Sequence, residues 1–213
     1  MYHYFTNKQH LSFCNKFCSD KLNRTVQMLE SKNNLDCEFY LVGSGARNMV
    51  TQNENQPVDL DYNLIIYNLN NPTENAPIVK KTVMDYLNGI LDNTPFSNCQ
   101  DSTAVITSQW KTDNGLYFSF DIAILIQDDE GCFHRMIHDK YRERYYWVQV
   151  PDSSDLYDKV DRLKELRLWQ QVRDTYLRLK NLHLRNMEES THPSFKVFVE
   201  AVNEVWNKNH CHY

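Results

Sequence analysis

The stretch VGSGARNMVTQNENQPVDLDYNL, residues 42–64, has the most informative pattern in this chain. It opens with a Gly43-Ser44 turn after an apolar run and closes with Asp59 and Asp61, two aspartates separated by one residue. Polar and apolar residues alternate around these aspartates, which is the pattern of a half-buried β-strand. Because successive side chains of a strand point to opposite faces, we predict that both carboxylates lie on one face.

A third carboxylate follows in the apolar segment FSFDIAI, residues 118–124, where Asp121 stands among residues that are typical of a protein core. A buried carboxylate without a partner is strongly unfavourable, so Asp121 requires one. The partner is either a lysine or arginine, or a metal ion shared with Asp59 and Asp61. We favour the metal, because carboxylate oxygens delivered by two strands are suited to Mg²⁺.

The order of these elements resembles the nucleotidyltransferase superfamily that includes DNA polymerase beta, antibiotic nucleotidyltransferases and the oligoadenylate and cyclic-oligonucleotide synthases. Its signature is an apolar residue, Gly, then Gly or Ser, a spacer, Asp-x-Asp or Asp-x-Glu, and a later strand with a third acid. The matching residues here are Val42-Gly43-Ser44, Asp59-Leu60-Asp61 and Asp121. The resemblance covers about residues 37–126 and does not select a subfamily.

This resemblance implies a transferase that moves a nucleoside monophosphate from a nucleoside triphosphate (NTP) to an acceptor hydroxyl and releases pyrophosphate. It implies that Asp59, Asp61 and Asp121 are catalytic residues and metal ligands in a two-metal mechanism. The expected ion is Mg²⁺, with Mn²⁺ as the alternative, and the expected nucleotide is ATP.

Contacts to the nucleotide phosphates are expected from Gly43, Ser44, Arg47 and Lys180. Gly43 lets the backbone approach a ligand closely, and the amides after it can face a phosphate if a helix starts there. The segment YLRLK, residues 176–180, is similar to the helix that supplies a phosphate-binding lysine in related enzymes. This makes Lys180 the first candidate and Lys164 the second. A solvated surface position is the alternative for Arg47 and Lys180.

Hydrophobic periodicity predicts an α+β fold, a small mixed β-sheet with flanking helices followed by a C-terminal helical segment. We expect helices at about 6–31 and 78–91 and further helices beyond residue 153. Strands are expected at about 38–42, 58–67, 102–110, 116–126 and 145–150, with a loop at 51–57 and a hairpin turn at 113–115. The predicted domains are a catalytic domain with an N-terminal helix, residues 1–150, and a helical segment packing on it, residues 151–213.

Charge and hydrophobicity limit the classes of partner that we expect for the chain. It has 213 residues and a formal net charge of −5, and from Arg135 to Arg185 basic residues outnumber acidic ones. A nucleic-acid acceptor requires a broad basic track, so we expect a small molecule, a nucleotide or a protein side chain as acceptor rather than RNA. No apolar run of about 18 residues and no signal peptide are evident, so we expect a cytoplasmic protein without a membrane partner.

Two other functional classes remain open. The chain can be a non-catalytic nucleotide-binding or interaction module that has kept the fold, although its three acids argue against this. It can also be the nucleotidyltransferase of a toxin–antitoxin or phage-defence pair that modifies a protein or tRNA. The product that carries the label in a radiolabelled NTP assay discriminates between these classes.

Overall fold

The computed structural model of the chain describes residues 1–54, 56–112 and 115–210. Its helices are α1 (Lys8–Asn33), α2 (Gly43–Ala46), α3 (Pro72–Leu91), α4 (Ser154–Glu165), α5 (Trp169–Arg185) and α6 (Ser194–His210). Its strands are β1 (Tyr2–Tyr4), β2 (Cys37–Val42), β3 (Thr51–Asn53), β4 (Val58–Ile66), β5 (Gln100–Asp101), β6 (Ile106–Thr112), β7 (Gly115–Gln127), β8 (Phe133–Asp139) and β9 (Arg144–Gln149). The hairpin turn predicted at 113–115 falls on residues 113 and 114, which lie outside the described residues.

Contacts between Cα atoms divide the chain into two compact units. The sheet unit comprises residues 6–47 and 57–150, and the helical unit comprises residues 1–5, 48–56 and 151–213.

The sheet unit is built on a mixed sheet with the strand order β2-β4-β7-β6-β5. Strands β4 and β7 are parallel, whereas β2 runs antiparallel to β4 and β6 runs antiparallel to β7. Strand β8 pairs with the end of β7 and with β9. The predicted α+β fold with a small mixed sheet is therefore confirmed.

Strand alternation separates the core of the sheet unit from its polar face. On β4, Val58, Leu60 and Tyr62 are buried while the aspartates between them reach the other face. On β7 the same alternation buries Phe118, Phe120 and Ile122. Helix α1 packs against α3 and β2. It begins after Asn7, whose side chain accepts a hydrogen bond from the backbone N–H of His10, and ends at Asn34 in the left-handed conformation.

The helical unit has a core of its own, formed by apolar residues of α4, α5 and α6 together with Met49. Residues 51–57 were predicted to form a loop, and this prediction is wrong for β3, which pairs with β1 in a two-stranded sheet. The partner strand lies about fifty residues earlier, so no local pattern indicates this pairing. Asn181 on α5 fixes β1 by accepting from the backbone N–H of Tyr2 and donating to its carbonyl oxygen. Among the described helices, none is both long and apolar enough to span a bilayer.

Candidate active site

The three predicted carboxylates meet on the polar face of the sheet. Asp61 on β4 is the register partner of Asp121 on the parallel strand β7, and Asp59 lies two residues earlier on the same face of β4. One carboxylate oxygen from each residue lies within 4.8 Å of the others. We refer to Asp59, Asp61 and Asp121 as the acidic triad.

Two hydroxyl groups hold the acidic triad in place. Ser119 Oγ donates a hydrogen bond of 2.8 Å to Asp59 Oδ1, and Thr107 Oγ1 donates one of 2.5 Å to Asp121 Oδ1. Both hydroxyls belong to the register partners of the carboxylates that they contact. Sequence reasoning missed them, although Ser119 has a signal of its own because it precedes Asp121 by two residues and therefore shares its face.

The environment of the acidic triad disfavours negative charge. Desolvation by the surrounding protein, then the charge of Asp121 and that of Asp61, raise the pKa of Asp59 to about 7, although the residue is exposed. Desolvation also raises the pKa of Asp121 above its usual range, against the opposing effect of the Thr107 hydrogen bond. Within the described residues, Asp121 forms no ion pair with a lysine or arginine, so the ion-pair alternative is not observed there.

The donor set of the acidic triad fits a hard divalent cation. All of its donors are carboxylate oxygens, which Mg²⁺ and Mn²⁺ prefer. A bound cation would relieve the mutual repulsion of the three carboxylates at this spacing. The triad can therefore hold Mg²⁺ or Mn²⁺.

Gly43 brings the turn after β2 directly against the acidic triad. Its neighbour Val42 is the register partner of Asp61, and Gly43 has a φ of +63°, a conformation that glycine adopts without strain. A β-carbon at this position would lie 2.5 Å from Asp61 Oδ2. Both the backbone conformation and the close approach of Asp61 therefore require glycine. Ser44, which is half-buried, follows in the short helix α2.

The two predicted phosphate-binding cations occupy different units. Arg47 is half-buried in the sheet unit, where it caps the C-terminus of α2. Lys180 lies in the helical unit, where its Nζ donates to Thr51 Oγ1 at 3.0 Å and to Ser194 Oγ at 3.3 Å. The ammonium group also lies 4.0 Å from the centre of the Tyr2 ring. Lys180 is thus a half-buried lysine with fixed neighbours, and its contact with phosphate stays a prediction.

Lys164, the second candidate, has a different environment. It is exposed on α4 and its Nζ lies 3.0 Å from Asp161 Oδ1. Its ammonium group also lies 5.5 Å from the centre of the Trp169 ring. An exposed pair of this kind contributes little to stability, so Lys164 is suitable as a control for Lys180.

Comparison with known proteins gives matches in structure alone. No protein-family model matches the sequence, and no curated protein matches it. The Escherichia coli MS115-1 CdnC structure with ATP matches with a TM-score of 0.58 and 12% identity, covering 92% of this chain and 61% of CdnC. CdnC in its complex with HORMA-deltaN matches with a TM-score of 0.57 and 12% identity, covering 92% of this chain and 60% of CdnC. Escherichia coli DncV with 3′-deoxy GTP matches with a TM-score of 0.53 and 10% identity, covering 80% of this chain and 60% of DncV.

At these identities the similarity establishes the fold. The chain has the nucleotidyltransferase fold, which confirms the resemblance predicted from the Gly-Ser turn and the three acids. It spans about 60% of the length of the three solved structures.

Proposed function

We propose that this chain is a metal-dependent nucleotidyltransferase, which transfers a nucleoside monophosphate from an NTP to an acceptor hydroxyl. The observation that carries the proposal is the convergence of Asp59, Asp61 and Asp121 on one sheet face, with the Gly43 turn directly against Asp61. The nucleotidyltransferase fold supports it, because the same elements that define this fold place the carboxylates together.

In this proposal Asp59, Asp61 and Asp121 hold the divalent ions. When bound, the ions neutralise charge on the phosphates and increase the acidity of the acceptor hydroxyl. Where Asp121 serves as the base instead of as a ligand, its carboxylate, which Thr107 fixes, receives the proton of that hydroxyl. The acceptor oxygen forms a bond to the α-phosphorus, the bond from this phosphorus to the bridging oxygen breaks, and pyrophosphate leaves.

The turn after β2 would bind the remaining phosphates. Gly43 and Ser44 would offer backbone N–H groups, and Ser44 its hydroxyl, to the β- and γ-phosphates. Arg47 would neutralise phosphate charge at the end of this turn, and Lys180 would contribute an ammonium group from α5.

Nucleotides in two of the structural matches support a choice of proposed substrates. The CdnC structure holds ATP and the DncV structure holds 3′-deoxy GTP. We therefore place ATP as the donor and a second nucleotide as the acceptor, one of the acceptor classes expected from the sequence. The net charge of −5 agrees with a small acceptor, since binding to a long nucleic acid depends on many cationic contacts.

The test is incubation of the protein with α-³²P-labelled ATP, the other NTPs and Mg²⁺ or Mn²⁺, followed by separation of the products before and after phosphatase treatment. Wild-type protein should form a labelled small product, and Asp61→Asn should form none. Asp20→Asn, which changes an exposed aspartate of α1, is the matched control and should retain full activity. Label transferred to a protein or tRNA would favour the toxin–antitoxin or phage-defence class instead. The absence of any labelled product with either ion would favour the non-catalytic module.

A further inference from the structure

A second cluster of potential metal ligands lies in the helical unit. It consists of His183 near the end of α5, Glu188 and His192 in the connection between α5 and α6, and Glu200 on α6. Ligand atoms of His183, Glu188 and His192 all lie within 4.8 Å of one another. We refer to these four residues as the histidine–glutamate cluster.

The two imidazole rings are stacked, and each edge of the stack faces a glutamate. Their centroids lie 3.9 Å apart and their planes differ by 12°. On one edge, Glu188 places a carboxylate oxygen 3.1 Å from His183 Nδ1 and its backbone oxygen 3.3 Å from His192 Nδ1. On the opposite edge, the Glu200 carboxylate lies 3.1 Å from His183 Nε2 and 3.8 Å from His192 Nε2.

On His183 this arrangement separates a ligand nitrogen, Nδ1, from an orienting nitrogen, Nε2. Two imidazoles and one carboxylate are a donor set that binds Zn²⁺. Metal-bound histidines commonly donate the N–H of the other ring nitrogen to a carboxylate, which fixes their tautomer. Glu200 is placed to take that role for His183, whose Nδ1 faces the Glu188 carboxylate. His192 Nδ1 faces the Glu188 backbone oxygen and, at 3.0 Å, the Thr191 hydroxyl.

The burial of the three proposed ligands and the cavity beside them also suit a bound ion. His183 is 8% exposed, so it is a deeply placed ligand, whereas His192 and Glu188 reach the surface. Both histidines line a cavity of about 140 Å³, which also contacts Lys180, Glu189 and Ser194. This cavity offers an ion a route of entry and room for a water ligand.

We propose that His183, Glu188 and His192 bind a divalent transition-metal ion, for which Zn²⁺ is the probe, and that Glu200 orients the His183 imidazole. The bound ion joins the end of α5 to the connection that precedes α6. Because the in-plane nitrogen lone pairs of stacked rings do not converge on one point, His192 turns out of the stack on binding. This residue can do so because it lies in the connection rather than in a helix.

The proposal is tested by Zn²⁺ titration of the full chain against a competing chromophoric chelator. The background variant carries Asp61→Asn, which weakens metal binding by the acidic triad. It also carries alanine at positions 210–212, because the sequence His210-Cys211-His212 is itself a potential Zn²⁺ binder. We expect one equivalent of Zn²⁺ to bind, and Co²⁺ to give the visible absorption of a tetrahedral site. His192→Ala and Glu188→Gln should abolish this binding, and Glu200→Gln should weaken it about 10- to 100-fold.

Glu189→Gln is the matched control, because Glu189 follows a proposed ligand and lines the same cavity but bonds to the Tyr2 hydroxyl. It should bind Zn²⁺ as the background does. The partly exposed His192 and Glu188 are chosen over His183 so that the fold survives, as checked by circular dichroism. Absence of Zn²⁺ binding in the background, or equal affinity in His192→Ala and Glu188→Gln, would overturn the proposal and leave the cluster as a set of hydrogen bonds that joins α5, the connection and α6.

Discussion

Replacing Gly43 by alanine should damage catalysis far more than stability. The φ of +63° costs a residue other than glycine about 1–2 kcal/mol, which lowers the Tm of a chain of this size by about 2–8 °C. The new β-carbon would also lie 2.5 Å from Asp61 Oδ2, where ordinary contacts begin at 3.4 Å. The turn or the Asp61 carboxylate must therefore move by about 1 Å, and a displacement of this size at a reacting centre lowers the rate by about 100-fold.

Differential scanning calorimetry and initial rates of nucleotidyl transfer measure the two effects separately. Gly89→Ala is the matched control, because Gly89 lies in α3 and an added β-carbon there meets nothing within 4 Å. It should stabilise the protein by about 1 kcal/mol and leave the rate unchanged. In an Asp61→Ala background the clash disappears, so Gly43→Ala should cost only the conformational 1–2 kcal/mol. Wild-type rate and Tm in Gly43→Ala would refute this reasoning.

Four further predictions concern charged residues of the proposed function. Because the folded protein holds the Asp59 proton with a pKa of about 7, against 3.8 ordinarily, the metal-free protein should lose stability as the pH rises from about 4 through 7. Urea denaturation in EDTA should show this slope in the wild type and a smaller one in Asp59→Asn. Since the proton and the ion compete for the same carboxylates, Mg²⁺ affinity measured by calorimetry should increase with pH until about 7; a pH-independent affinity would contradict the assignment. Asp61→Ala should abolish turnover and leave the Tm in EDTA unchanged or higher, because it removes charge repulsion, and wild-type Mg²⁺-dependent activity in this variant would show that Asp61 is not a ligand. Lys180→Ala should weaken ATP binding about tenfold or more by removing a charged hydrogen bond, whereas Lys164→Ala should not; equal affinities in calorimetry would make Lys180 a structural residue.

The acidic triad was predictable because its signal is local. Alternation around Asp59 and Asp61 places both on one face of β4, and the apolar neighbours of Asp121 mark a second strand. The parallel register that aligns Asp61 with Asp121 is set by β4 and β7 together, so the sequence indicates the acids but not their spacing. For the same reason, the hydroxyl of Thr107 on β6 could not be linked to Asp121 before the register was known.

Other features depend on contacts between distant parts of the chain. Strand β3 exists because it pairs with β1, and its polar sequence alone is typical of a loop. The histidine–glutamate cluster has no helical or strand spacing to reveal it, since Glu188 and His192 lie in a connection and Glu200 lies on the next helix. Glu200 reaches His183 only through the packing of α5 with α6.

Residues 1–5 belong to the helical unit, so this unit cannot complete its folding until distant parts of the chain have been made. The Tyr2 backbone pairs with Asn181, which lies 179 residues later, and the covalent chain passes from one unit to the other at residues 5, 47, 56 and 150. During synthesis, the contacts of β1 with α5 can therefore form only after residues 169–185 have been made. Contacts between residues so far apart in sequence slow folding, because the chain loses conformational entropy before the contacts contribute favourable energy. A fragment that starts at residue 151 would contain α4, α5 and α6 but would lack both strands that complete their unit.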